Sequence, residues 1–166
     1  MLEEIIKSAF TIVPVIIALS LLKKEMSKKV EPQPDGSFEL RISRMYFFTG
    51  LVCASIFLFF TGWILLDPDT PSEDRIFGLF FLIFSLLGIY LIVLYRNYRL
   101  YFDNENIVVT NLFGKKNTMK WSEIEKVRSN AFTGYLTLSS ATTQLKVHQN
   151  LKGFIAFKNA IDEHTK

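Results

Sequence analysis

Residues 98–127 read YRLYFDNENIVVTNLFGKKNTMKWSEIEKV. Apolar positions alternate at Leu100 and Phe102, stop at Asp103-Asn104-Glu105-Asn106, and resume in the β-branched run from Ile107 to Thr110. A period of two marks a half-buried strand. Gly114 sits in the next reversal, 118–121 is a short strand, and Ser122 opens an S-x-x-E box with Glu125. That box predicts a single helical turn. Further strands follow at 127–129, 135–139 and 144–148, parted by Thr133-Gly134 and by 140–143. The period then lengthens: Leu151, Phe154, Phe157 and Ile161 recur at about one helical turn, with Asn150 as the N-cap. Short strands at such regular spacing predict a closed or nearly closed antiparallel barrel or sandwich. The final helix plugs its open end.

Most of the chain upstream is written differently. The chain has 166 residues, and its 49% apolar content is ordinary for a globular protein. The distribution is not ordinary, because 45–66 and 76–95 contain no charged residue. Each run is long enough to cross a hydrocarbon core of roughly 30 Å at about 1.5 Å per residue. Trp63, Tyr46, Tyr90 and Tyr95 lie towards the run ends, where amphipathic rings prefer the headgroup level. Residues 5–22 are apolar except for Lys7, with Pro14 at the middle. A cleaved signal peptide and an interfacial helix are the rivals to a span there. Glu3 and Glu4 precede the run and Lys23, Lys24, Lys28 and Lys29 follow it, a charge order that favours a retained anchor.

Loop charges give a topology. Residues 23–44 carry six Lys/Arg, whereas 67–75 carry Arg75 alone against Asp67, Asp69, Glu73 and Asp74. Lys and Arg concentrate in cytoplasmic loops. Three spans at 5–22, 45–66 and 76–95, with the N-terminus outside and 67–75 external, satisfy every loop. The tail from Arg96 holds eleven Lys/Arg against six acids and falls inside. The net charge of +3 is therefore a topology signal, and no nucleic-acid partner is expected. Pro68 and Pro71 tighten the external loop, so the last two spans form an antiparallel hairpin. Gly50, Ala54 and Gly62 on one, with Gly78, Ser85 and Gly88 on the other, supply small residues for close approach in lipid. Neither of these two runs holds an Asp, Glu, Lys, Arg or His, which argues against a transport pathway. The single Cys53 is expected to act as a small apolar residue. In the loop before the hairpin, 30–37 (VEPQPDGS) reads as a linker and 38–42 (FELRI) as a strand. A lone strand does not persist in water, so 38–42 is expected to dock on the sheet of the C-terminal domain, against the plainer reading of a disordered linker.

The segments YRLYFDNENIVVTNLFGKK, TMKWSEIEKV, GYLTLSS, QLKVHQ and NLKGFIAFKNAI together resemble the bacterial pleckstrin-homology-like domains of small multi-pass membrane proteins. The W-S-E-I-x-x-V element carries most of the likeness, which covers 98–164. It implies an α+β membrane protein: three transmembrane helices followed by a pleckstrin-homology-like antiparallel β-barrel or sandwich (98–166) with a C-terminal capping helix. The fold is a platform for varied ligands, so the resemblance brings no catalytic residue with it. Eukaryotic relatives bind inositol phosphates through a K-x-n-[KR]-x-R motif, which this sequence lacks.

Chemistry-bearing motifs are few. His148 and His164 have no cysteine near them, neither HExxH nor CxxC occurs, and no glycine-rich phosphate loop is present. Ser139-Ser140 with His148 is a nucleophile–base combination of the kind that arises by chance. No catalytic residue, metal or cofactor is assigned. Lys115, Lys116 and Lys120 are the candidates for contact with anionic lipid headgroups, against the plainer reading of a solvated turn. The expected function is a non-enzymatic module at the cytoplasmic face of the cell membrane, binding or scaffolding a protein or peptide partner or joining a membrane complex. The alternative is a lipid-headgroup-responsive sensor or regulator.

Overall fold

The computed structural model describes residues 20, 24, 27–130 and 133–164. In chain order the elements are β1 (Phe38–Arg41), α1 (Arg44–Leu66), α2 (Arg75–Asn97), β2 (Arg99–Phe102), β3 (Asn106–Thr110), β4 (Lys116–Lys120), a 3₁₀ turn (Trp121–Glu123), β5 (Lys126–Asn130), β6 (Tyr135–Ser139), β7 (Gln144–His148) and α3 (Phe154–His164). They fall into two compact units. One holds the helical hairpin with the turn Thr110–Lys115, and the other holds the sheets and α3.

Among the described residues two helices, α1 and α2, are long and apolar enough to cross a membrane. Three such helices are expected from the sequence; the third, 5–22, lies outside the described residues except for Ser20. Each of the two has 23 residues, about 35 Å of helix. Ser43 starts α1 by accepting the Met45 N–H on its hydroxyl (3.3 Å). The helices run antiparallel: Thr61 donates to the Gly78 carbonyl (3.4 Å), Ser85 to that of Ala54 (3.3 Å), and the Phe57 ring meets Phe81 and Phe84. Gly88 sets their separation. A Cβ there would lie 2.6 Å from the Ala54 nitrogen and 2.7 Å from the Gly50 oxygen, backbone atoms that cannot swing away. Gly62, expected in the same seam, faces open space. The remaining surface is apolar, with Phe48, Phe59, Trp63, Phe77 and Phe80 all exposed.

In the other unit the strands form sheets of order β1-β2-β3-β4 and β5-β6-β7. The docking expected of 38–42 involves 38–41: β1 pairs antiparallel with β2, placing Leu40 opposite Leu100 and Phe38 opposite Phe102. Both leucines are fully buried, each contributing about 1.5–3 kcal/mol. The Phe38 and Phe102 rings stack at 5.1 Å. On the other face Glu39 reaches Arg41 (3.0 Å) and Arg99 (3.4 Å). The sheet unit therefore begins before the hairpin, not at residue 98, and α1 and α2 are inserted between two paired strands. The expected linker 30–37 ends in an ordered turn, where Asp35 accepts both the hydroxyl (2.6 Å) and the amide (3.0 Å) of fully buried Ser37. Those bonds hold the Asp35 carboxyl below its usual pKa.

The core is aromatic where three elements meet. Phe157 is fully buried and its ring lies 5.2 Å from Phe102, 5.9 Å from Trp121 and 6.1 Å from Phe154. Trp121 donates its indole N–H to the Asp103 carbonyl (2.7 Å). The helical turn begins at Trp121, and the box expected between Ser122 and Glu125 is displaced: the Glu123 carboxylate accepts the Lys120 N–H instead (3.3 Å). Helix α3 starts at Phe154 rather than after Asn150: Leu151 forms an isolated bridge, and Lys152 and Gly153 then make a turn in which the Lys152 N–H donates to the Arg41 carbonyl (2.8 Å) and Gly153 takes φ +76°. Its inward residues are those expected, Phe154, Phe157 and Ile161, with Leu151 buried ahead of it.

Candidate interaction surfaces

The serine–histidine combination does not assemble. β6 and β7 pair with Ser139 opposite Gln144 and Tyr135 opposite His148, so Ser139 and His148 sit at opposite ends of the ladder. Four residues of strand separate them, about 13 Å. His148 is buried, takes the Asn150 N–H on Nδ1 (3.1 Å) and meets the Tyr135 ring edge-on at 4.9 Å. Burial lowers its pKa below the ordinary histidine value, because it disfavours the charged ring. The unfolded chain then binds the proton more readily, and stability falls as pH drops through the unfolded value towards the folded one. Melting of full-length protein between about pH 7.5 and 5.5 is expected to show this decline, and His148→Gln to flatten it. An equal decline in the variant would assign the effect to another group. Among the described residues no group of three or more His, Cys, Asp or Glu could hold a metal ion. Every buried side-chain polar atom among them has a hydrogen-bond partner. A shallow cleft of about 460 Å³ is lined by Asn104, Glu105, Lys120, Trp121, Ser122 and His164. His164 stacks flat on Trp121 at 4.5 Å, so its ring serves packing there.

The three candidate lysines do not form one cluster. Lys115 and Lys116 are adjacent and exposed at the β3–β4 reversal, while Lys120 is at the far end of β4, about 13 Å away along the strand. The reversal is tightly specified. Asn111 Oδ1 accepts the N–H groups of Phe113 and Lys115, each at 2.9 Å, and Gly114 at φ +79° donates to the Asn111 carbonyl (3.0 Å). Asn97, the last residue of α2, donates its side-chain amide to the Leu112 carbonyl at 2.7 Å.

A second surface is the edge strand β5, all five residues of which are exposed. Among the described residues it pairs with β6 alone, leaving its other side as a sheet edge. Val127 shares a face with Leu138 and Leu145, which are 0% and 2% exposed, yet it is itself 38% exposed. Trp121, Ile124 and Val127 are the apolar residues of the W-S-E-I-x-x-V element. Only Trp121 is buried; Ile124 is half-buried, and β5 runs past the core's cover. Among the described residues, three large apolar side chains are exposed outside α1 and α2: Phe113, Val127 and Ile155. Phe113 and the β5 edge are what sequence reading missed. The only signal for either was an apolar residue beside lysines in a turn, or alternating with charge in a strand.

No protein-family model matches the chain, and no curated protein matches it either.

Proposed function

We propose that this protein is a membrane-anchored, non-enzymatic adaptor whose pleckstrin-homology-like domain takes an extended, acidic peptide of a partner protein along β5. In this reading α1 and α2 span the cell membrane, 67–75 faces outward and the sheets are cytoplasmic. The apolar surfaces of the two helices and the charge difference between their ends support the placement. Seven strands in sheets of four and three, followed by one helix, support the domain reading. The observation that carries the ligand is β5 itself. A sheet edge offers backbone donors and acceptors to an added strand. Val127 supplies an uncovered apolar contact, and Lys126 and Arg128 favour acidic residues at alternate peptide positions.

The rival physical role for Lys126 and Arg128 is to keep other strands off the edge. A random-peptide library displayed to full-length protein in lipid nanodiscs separates the two. Strand-forming acidic peptides are expected, with Kd rising about tenfold, equivalent to about 1.4 kcal/mol, in the Lys126→Glu/Arg128→Glu variant. Binding indifferent to that variant, or none, removes the peptide reading. The second reading, a lipid-headgroup-responsive regulator, is favoured by the basic β3–β4 turn and gains if the nanodisc-free protein binds anionic vesicles instead.

A further inference from the structure

We infer that the β3–β4 turn is a bilayer contact: Phe113 enters the headgroup layer of the membrane that holds α1 and α2, and Lys115 and Lys116 meet lipid phosphates there. The inference rests on the membrane-spanning reading of the helices and is independent of the peptide reading.

Phe113 is the most exposed large apolar side chain among the described residues, at 87%. A turn tip in water ordinarily carries polar residues, and leaving a phenylalanine there forgoes about 2 kcal/mol of burial. The turn is also not free to collapse and hide the ring. Two bonds to Asn111 Oδ1, the Gly114–Asn111 bond and the left-handed Gly114 fix its path. An apolar group held out on a rigid tip is arranged for contact with something outside the chain.

What that something is follows from where the turn is fastened. Thr110–Lys115 belongs to the same compact unit as the helical hairpin, and Asn97 holds Leu112 at the end of α2. Asn97 lies two residues beyond Tyr95, about 3 Å along the helix axis. Tyr95 packs on Phe47 near the start of α1, and Arg44 and Arg96 are exposed at the same end. This is the basic, aromatic end of the hairpin; the opposite end carries Asp67, Asp69, Glu73 and Asp74. Tyrosine and arginine at a helix end mark the headgroup level, which is about 5–7 Å deep on each side of the hydrocarbon core. A turn held one helical step from Tyr95 is at that level. Phenylalanine followed by two lysines suits both halves of the layer, with the ring among the upper acyl carbons and the ammonium groups among phosphates.

The test uses full-length protein in vesicles of phosphatidylcholine and phosphatidylglycerol. A nitroxide is placed at Phe113→Cys in a Cys53→Ala background, with companion labels at Phe59→Cys on α1 and Thr142→Cys in the β6–β7 turn. Power-saturation measurements then compare access of oxygen with access of a water-soluble nickel complex. The Phe113 label is expected to show an oxygen-to-nickel ratio several-fold above that at Thr142 and below that at Phe59. Adding Lys115→Glu/Lys116→Glu should bring it down towards the Thr142 value. A label at 113 as aqueous as Thr142, with Phe59 deep, overturns the turn's role and leaves the spans intact. An aqueous Phe59 overturns the spans and the inference together. A Phe113 label that stays at headgroup depth after charge reversal removes the lysines from the contact.

Discussion

Phe157→Ala is expected to remove about 3–5 kcal/mol from the stability of the sheet unit, a large part of what a domain of this size has. The ring is fully buried and touches Phe102 from β2, Trp121 from the 3₁₀ turn and Phe154 from its own helix. Truncation opens a cavity that three separate elements would have to close at once. Trp121 would also lose the ring beside its own, so its emission reports the event directly. The measurement is chemical denaturation of detergent-solubilised protein in a Trp63→Phe background, followed by Trp121 fluorescence. Ile155→Ala is the control, since Ile155 is on the same helix but 45% exposed. Its expected cost is well under 1 kcal/mol. Equal losses for the two variants would mean that α3 is not held by its buried face.

Gly88→Val is the second large effect, of about 3 kcal/mol, and it acts on the other unit. Here the obstacle is backbone: the Ala54 nitrogen and Gly50 oxygen leave no room for even one methyl group. The helices would have to separate, which weakens the Ser85–Ala54 and Thr61–Gly78 hydrogen bonds and the Phe57–Phe81 contact together. In the membrane-spanning reading lipid gives no hydrophobic compensation, because the tails are as apolar as the helix surfaces. Unfolding in mixed micelles of rising SDS content, read by helix–helix energy transfer, is expected to shift to lower SDS. Gly62→Val, where a Cβ meets nothing within 4 Å, should leave the midpoint unchanged. If both variants shift alike, the added side chain acts the same way at both positions and close approach at Gly88 is not the cause.

The parts of this fold legible in the sequence are those where period and composition act locally. The uncharged runs at 45–66 and 76–95 fall within α1 and α2, and the alternation at 38–42 marks β1. Leu151, Phe154, Phe157 and Ile161 face inward as their spacing requires. What stayed hidden depends on partners distant in sequence. Trp121 donates its indole N–H to Asp103, a contact across 18 positions that no local motif encodes. Val127 alternates like a core residue, but only the sheet order reveals that β5 is an edge. The candidate site was half legible: Lys115 and Lys116 stand together at the turn, Lys120 does not join them, and Phe113 gains meaning only through the Asn97–Leu112 bond.

The insertion of α1 and α2 between β1 and β2 has a consequence for how the chain is made. In most hairpins a few turn residues bring two strands together; here the connector is a pair of 23-residue helices. During synthesis Leu40 waits for Leu100 until both helices have been translated, so β1 stays unpaired on the ribosome while the hairpin forms. A flexible loop of that length would close at an entropic cost growing with its logarithm. Once the helices pack antiparallel, Arg41 and Arg99 no longer need a long random search. Pairing of β1 with β2 therefore has to wait until residues 42–98 have been made.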